Sequence, residues 1–172
     1  MRHANIPEGR PLERASKVAR SKSPKAPRAA EKLDYGRLDG LLGYHLRKAQ
    51  QATFRSFANA LAGENMSPGH LGVLLVVAAN PGVNQITVGQ AMGIDRSTLV
   101  AVLDRLEDRG LLERTPSPSD RRSHALLVTE GGRAYLAELM PRVEAHENEV
   151  AATLSEDERR TLIALLRRVG KS

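Results

Sequence analysis

NQITVGQAMGIDRSTLVAVLDRLEDRGLLERTPSPSDRRSHALLVT, residues 84–129, carries two helix signals, a tight turn and a basic hairpin in that order. Asn84 is a good N-cap for a helix from Gln85 to Met92, because its side chain can accept from an early N–H that has no intrahelical partner. Gly93 stops that helix at a position that needs a residue tolerant of positive φ, and Gly89 permits a close neighbour. Asp95 then caps a second helix reaching to about Arg109, in which Leu99, Val102, Leu103 and Leu106 recur at helical spacing as the buried stripe. Gly110 ends it. The other face presents Arg96, Ser97, Thr98, Val100, Ala101, Asp104 and Arg105. Arginine pairs with the two acceptors of guanine, hydroxyls bond base edges or phosphates, and small apolar side chains meet a thymine methyl, so this face suits a major groove. Taken alone, the same two helices are equally an ordinary αα-hairpin.

The segment that follows shifts the balance. Leu111 to Thr115 and His124 to Val128 have the length and composition of strands, and Pro116 to Ser123 lies between them. Proline cannot donate to a strand ladder, so the pairing should open there and project Arg121 and Arg122 as a wing. Arginine suits the negative potential of a narrow minor groove. Asp120 fits as the partner that fixes one guanidinium; the alternative is a solvated salt bridge on a loop.

The runs Gly93-Ile94-Asp95-Arg96-Ser97-Thr98-Leu99, Leu103-Asp104-Arg105-Leu106-Glu107, Gly110-Leu111-Leu112, Pro118-Ser119-Asp120-Arg121-Arg122 and Leu127-Val128-Thr129-Glu130-Gly131-Gly132 resemble, in order and spacing, the MarR family of winged helix-turn-helix regulators. The resemblance covers roughly residues 33–172. It implies that Arg122 is the wing-tip arginine of the minor groove and Asp120 the acid that orients it. It also implies that the first helix joins the last two in a dimer interface, and that its middle helps to line a ligand pocket. Val100 and Ala101 stand where many relatives carry polar or basic residues, so no relative's operator transfers to this chain.

Charge is placed unevenly. Residues 1–32 hold nine Lys/Arg against three Asp/Glu, the whole of the net +6, which leaves 17 of each sign in residues 33–172. The first 32 residues are rich in Pro, Ala, Ser, Lys and Arg without a sustained apolar period, and are expected to be a disordered basic arm. Such an arm either adds contacts to DNA or is a solvated extension. Arginines cluster around the reading segment, at 96, 105, 109, 114, 121 and 122, and carboxylates near the far end, which argues for an anionic polymer as partner. No apolar run approaches a membrane span, and no apolar leader is present, so a cytoplasmic location without membrane contact is expected. With no cysteine, a disulfide framework and thiol-based sensing are both excluded, the peroxide-sensing branch of the resembled family with them.

Outside the reading segment, an apolar face too wide for one neighbour predicts a long helix over 33–62, with Leu38, Leu41, Leu42, Leu46, Ala49, Phe54, Phe57 and Leu61 as its members. Ser67 caps a second helix with Pro68 at its first position, running to about Ala79 with Leu71, Leu74, Leu75 and Ala78 inward. Thr129 caps a helix to about Leu154, broken or bent near Pro141, with Tyr135, Leu136, Leu139, Met140 and Val143 apolar. Ser155-Glu156-Asp157-Glu158 is a capping box before a last stripe of Leu162, Leu165, Leu166 and Val169. The expected architecture is mainly α with a small β-hairpin wing. Its reading unit is 67–128, and it is a homodimer through helices in 33–62 and 129–172.

Scattered histidines at 3, 45, 70, 124 and 146 offer no zinc spacing, and no phosphate loop or nucleophile elbow is present. Neither a metal, a cofactor nor catalysis is expected. The expected function is that of a sequence-specific regulator of double-stranded DNA, a repressor released from a near-palindromic operator by a small effector. The resemblance suggests an aromatic carboxylate for that effector, or its CoA thioester. Tyr44, His45, Arg47, Phe57 and His70 are the candidate pocket wall; against that role, Phe57 suits core packing better, His45 a satisfied surface or interface histidine, Arg47 a solvated charge and His70 a helix-end surface position. The competing readings are a ligand-independent architectural protein dominated by the basic arm, and an enzyme or carrier on a winged scaffold.

Overall fold

A computed structural model describes residues 33–116 and 124–170. The described residues 33–37 belong to a unit of their own, in which 33–35 are without regular structure and Gly36 N–H donates to Asp34 Oδ1 at 2.8 Å. A 3-10 turn occupies Gly36–Gly40.

Among the described residues six helices and three strands follow: α1 Leu42–Ala60, α2 Pro68–Ala79, β1 Val83–Asn84, α3 Gln85–Met92, α4 Arg96–Asp108, β2 Leu112–Pro116, β3 His124–Val128, α5 Glu130–Val150 and α6 Glu156–Leu166. Four caps act where the side chains foretold them. Ser67 Oγ accepts from His70 N, Asn84 Oδ1 from Thr87 N, Asp95 from Ser97 N and Thr98 N, and Thr129 Oγ1 from Gly132 N. Ser155 and Glu158 complete the reciprocal capping box.

The single helix expected over 33–62 is not observed. Glycines at 36 and 40 break it, each costing a helix about 1 kcal/mol relative to alanine, and Gly36 takes a left-handed φ of +52°. Leu41 then starts α1 from extended backbone without a side-chain cap. Only the end of α1 is buried in the chain, at Phe57 and Leu61, while Leu41, Leu42 and Phe54 stay exposed. The inward set of α2 also differs: Leu71, Val73, Leu74 and Val77 are buried, Leu75 is half-buried and Ala78 is exposed. This helix is apolar on every side, packs against α3, α4 and β3, and so carries no period that marks one face.

The sheet is antiparallel with β3 in the middle, in the order β1-β3-β2. β1 was not foreseen, since two residues cannot show alternation; Val83 pairs with Leu126 and Asn84 with Ala125. Leu112 pairs with Val128, and the β2 ladder continues to Pro116 opposite His124. The pairing expected to open at the first proline therefore includes it, as the last residue of an edge strand.

The core is made where α2, α3, α4 and the sheet meet. Val73, Leu74, Val77, Val88, Leu103, Leu106, Leu112 and Leu126 are each at most 1% exposed, and full burial of one such side chain contributes about 1.5–3 kcal/mol. α5 leaves this core at Thr129, whose hydroxyl donates to Gly110 O at 2.6 Å, and it runs unbroken through Pro141 where a break or bend was expected. It ends at Val150, short of Leu154. α6 buries nothing: Leu162, Ile163, Leu165, Leu166 and Val169 are all exposed.

Candidate nucleic-acid interface

α3 and α4 are held at a fixed angle by a turn with little freedom. Gly93 has φ +61°, Ile94 N–H donates to Gly89 O at 3.0 Å, and a Cβ on Gly89 would lie 3.3 Å from both Ile94 O and Leu99 Cδ2. Leu99, Leu103 and Leu106 anchor α4 in the core and Val102 is half-buried, as its spacing implied. The opposite face rises clear of the protein, with Arg96, Ser97, Thr98, Val100, Ala101, Asp104 and Arg105 exposed. Arg96 and Val100 also border a shallow depression of about 340 Å³ with Gln85, Ile86, Gln90 and Leu99. Gln85, Ile86 and Gln90 join the reading face only through the fold; α3 is too short for its outer side to stand out in the sequence.

Of the three acids on α4, Asp104 and Glu107 would repel phosphate if they stood free. Arg114 of β2 pairs with both. Its Nη2 donates to Asp104 Oδ1 and its Nη1 to Glu107 Oε2, each at 2.6 Å, and its backbone N–H donates to Glu107 Oε1 at 3.1 Å. The sequence placed Arg114 among the cations facing DNA. The structure instead commits its charge to these carboxylates, which ties the edge strand of the wing to the reading helix. Asp120, Arg121 and Arg122 at the wing tip, like the basic arm of residues 1–32, lie outside the described residues.

Arg105 turns toward a second cleft, of about 310 Å³, lined by Asn65, His70, Arg105, Leu106, Asp108 and Arg109. Burial, then the Arg105 and Arg109 charges, hold the His70 imidazole below its ordinary range, so it is neutral at pH 7. From the same cleft Arg109 spans to α5. Its guanidinium lies 5.0 Å from the Tyr135 ring centroid, Tyr135 Oη donates to Glu64 Oε2 at 3.1 Å, and Glu64 is paired with Arg142. The end of the reading helix is thereby joined to α5 through side chains.

The five pocket candidates fall in three places. Tyr44, His45 and Arg47 lie near the start of α1, with the Tyr44 and His45 rings 5.3 Å apart and Arg47 Cζ 5.7 Å from the Tyr44 centroid. His45 Nε2 is 2.6 Å from Asp39 O and so secures the turn before the helix. Phe57 stands thirteen residues further, about 20 Å along a helix, and packs edge-on against His146 at 5.5 Å. His70 belongs to the cleft beside α4. His146 was passed over in the sequence as one of several scattered histidines. It is 2% exposed, neither ring nitrogen has a hydrogen-bond partner, and the Glu147 carboxylate is 3.7 Å from Nδ1. The buried positions 132, 136, 139, 143 and 146 of α5 alternate steps of four and three, a signal that could have placed it inside.

Among the described residues no cluster of three or more His, Asp or Glu could hold a metal ion, and no helix is long and apolar enough to cross a membrane. A putative transcriptional regulatory protein for the hcr operon of Thauera aromatica is 43% identical over 138 residues, 80% of this chain and 83% of that protein. The MarR family profile matches residues 64–123, which take in α2 to β2 and most of the reading segment. The chain belongs to the MarR family. The transcriptional repressor CouR, solved on a 23-mer DNA duplex, superposes with a TM-score of 0.78 at 42% identity, over 82% of this chain and 100% of that one. CouR bound to p-coumaroyl-CoA gives 0.73 at 39% identity, over 82% and 99%. These relatives are transcriptional regulators rather than enzymes, and the mainly helical fold with a small antiparallel sheet is that of a MarR winged helix.

Proposed function

We propose that this MarR-family regulator is a homodimeric repressor that inserts α4 into successive major grooves of a near-palindromic operator and is released by a small acidic effector. The observation that carries the reading is the α4 face itself. It is polar and exposed at its N-terminal end, anchored from behind by three buried leucines, with Asp104 and Glu107 held by Arg114. The likeness to CouR on DNA supports it. The apolar faces left open on α6 and on the start of α1 support the dimer, since a run of exposed leucine marks an interaction surface.

At the wing tip, Arg122→Ala is expected to weaken operator binding by about 1.5–3 kcal/mol, the size of a lost charged hydrogen bond. The fold should be unchanged, and Asp120→Ala should reproduce part of the loss. Fluorescence anisotropy on a labelled operator, with circular dichroism as the folding control, reads both. Full affinity in both variants would remove the wing from DNA recognition.

For the effector, the likeness to CouR in complex with p-coumaroyl-CoA supports an aromatic thioester body, and the Arg105 and Arg109 cations beside His70 in the cleft suit an acid group. An anion in this cleft offsets the two guanidinium charges and lets His70 take up a proton. The bound imidazole then has the higher pKa of the two states, so affinity should rise as pH falls from about 7.5 to 5.5, the range about the ordinary histidine value. A thermal-shift screen with aromatic acids and their CoA thioesters tests it, because a ligand of the folded state at a hundred times its Kd adds about 2.7 kcal/mol of stability. His70→Gln should bind with no pH trend. Should operator-bound and free protein bind an identified ligand equally well, linkage would exclude control of DNA by this site, and the ligand-independent reading would take its place.

A further inference from the structure

Asp95 does more than cap α4. Its Oδ1 accepts from Ser97 N at 3.0 Å, Thr98 N at 3.0 Å and Ser97 Oγ at 2.6 Å, and its Oδ2 accepts from Thr98 Oγ1 at 2.6 Å. These hydrogen bonds, those from the two hydroxyls foremost, hold the carboxyl far below the usual carboxylate range. A carboxylate has no proton to give, so in each short pair the hydrogen belongs to the hydroxyl. Serine and threonine own one hydroxyl proton each. With that proton turned inward, each exposed hydroxyl presents only lone pairs to whatever lies across from it.

We infer that Ser97 and Thr98 meet DNA as hydrogen-bond acceptors only, and so read the exocyclic amino groups of adenine or cytosine in the major groove. The inference rests on the reading of α4 as the groove-inserted helix. Sequence alone leaves a serine or threonine hydroxyl free to bond phosphates, acceptor edges or donor edges; the Asp95 carboxylate removes the first two. Phosphate oxygens, guanine O6 and N7, and thymine O4 all require a donor. Arg96, which lines the same depression as Asp95, Ser97 and Val100, has only donors and is complementary. One turn of helix thus carries separate readers for the two polarities of base edge. The half-site is expected to hold adenine or cytosine at the steps opposite the hydroxyls, and guanine where Arg96 reaches.

Base analogues give the test. On an operator selected from random duplexes, each adenine is replaced in turn by 2′-deoxynebularine, which lacks the 6-amino group, and each cytosine by the 2-pyrimidinone nucleoside, which lacks the 4-amino group. Wild-type protein should lose about three- to tenfold in affinity at one or two steps per half-site, the size of one hydrogen bond. Ser97→Ala or Thr98→Ala should be indifferent to the analogue at its own step, which separates this loss from weakened base pairing. Asp95→Asn keeps a cap of similar strength, but its amide Nδ2 donates to one hydroxyl and frees that proton, so selection with this variant should shift one step toward thymine or guanine. If both alanine variants instead weaken every duplex equally and flatten the salt dependence, the hydroxyls touch phosphate; the inference is then wrong while α4 remains the reading helix. If neither variant alters binding to any duplex, the reading of α4 falls with it.

Discussion

Gly132→Ala is expected to destabilise the protein by about 3 kcal/mol or more, the upper range for overpacking a core, with Tm falling by about 10 °C. A Cβ at this position would overlap the Leu111 carbonyl oxygen and stand 2.8 Å from Val128 Cγ1 and 2.9 Å from the Leu111 carbonyl carbon. Two of those atoms are backbone, where the chain passes from α4 into β2, so no side chain can step aside. Relief would require the first turn of α5 to lift off the sheet. That would pull against the Thr129 cap, with Thr129 Oγ1 bound to Gly132 N at 2.9 Å and to Gly110 O at 2.6 Å. Gly131 next to it is the control, because its added Cβ would meet nothing nearer than Gly110 O at 3.6 Å, an ordinary contact. Gly131→Ala should stay near wild type or gain a little, at most the 0.5–1 kcal/mol or so by which alanine exceeds glycine inside a helix. Thermal unfolding of the pair followed by circular dichroism reads both; a Gly132→Ala protein as stable as wild type would mean that α5 does not sit this close to Leu111.

The second large effect is expected on α6. Leu162→Glu with Leu166→Glu puts two charges on one face, four residues apart, and neither leucine is buried against its own chain. The fold of the monomer should therefore survive, and the dimer should not. Operator affinity should fall about a hundredfold or more, because a second half-site bound by a tethered copy contributes through effective concentration and a monomer has no such tether. Sedimentation velocity and anisotropy on the same samples check the two halves of the claim. A variant that stays dimeric would move the interface away from α6, and a monomer that keeps full operator affinity would separate DNA reading from dimerisation.

What was legible in the sequence follows from which residues act locally. Ser67, Asn84, Asp95, Thr129 and Ser155 cap helices through their own side chains, and Gly93 and Gly110 take the left-handed conformations that stop two of them, so those boundaries could be read directly. The stripe of α4 was legible for the same reason: its outer face is polar enough to show the period. α2 has no polar side, and its inward set came out rotated. The start of α1 was misjudged because a broad run of leucines outweighed glycines at 36 and 40. β1 needs a partner 43 residues away, Leu126 for Val83, and nothing local announces it. The candidate site divides in the same way. The exposed residues of α4 were found from spacing, whereas the pairing of Arg114 with Asp104 and Glu107, the depression shared with Gln85, Ile86 and Gln90, and the buried His146 all depend on elements that meet only in three dimensions. The proposed pocket wall is spread along one chain. Aromatic and basic residues on one helix look like a cluster in sequence, but thirteen residues of helix separate Tyr44 from Phe57.

The most direct measurement is selection of duplexes bound by the purified full chain from a random pool, at fixed salt and with excess competitor DNA. A homodimer that reads with two copies of α4 should enrich an inverted repeat whose half-site centres lie about one helical turn, or about 34 Å, apart. Enrichment of a single unsymmetrical site, or no enrichment with binding that collapses as salt is raised, would contradict it.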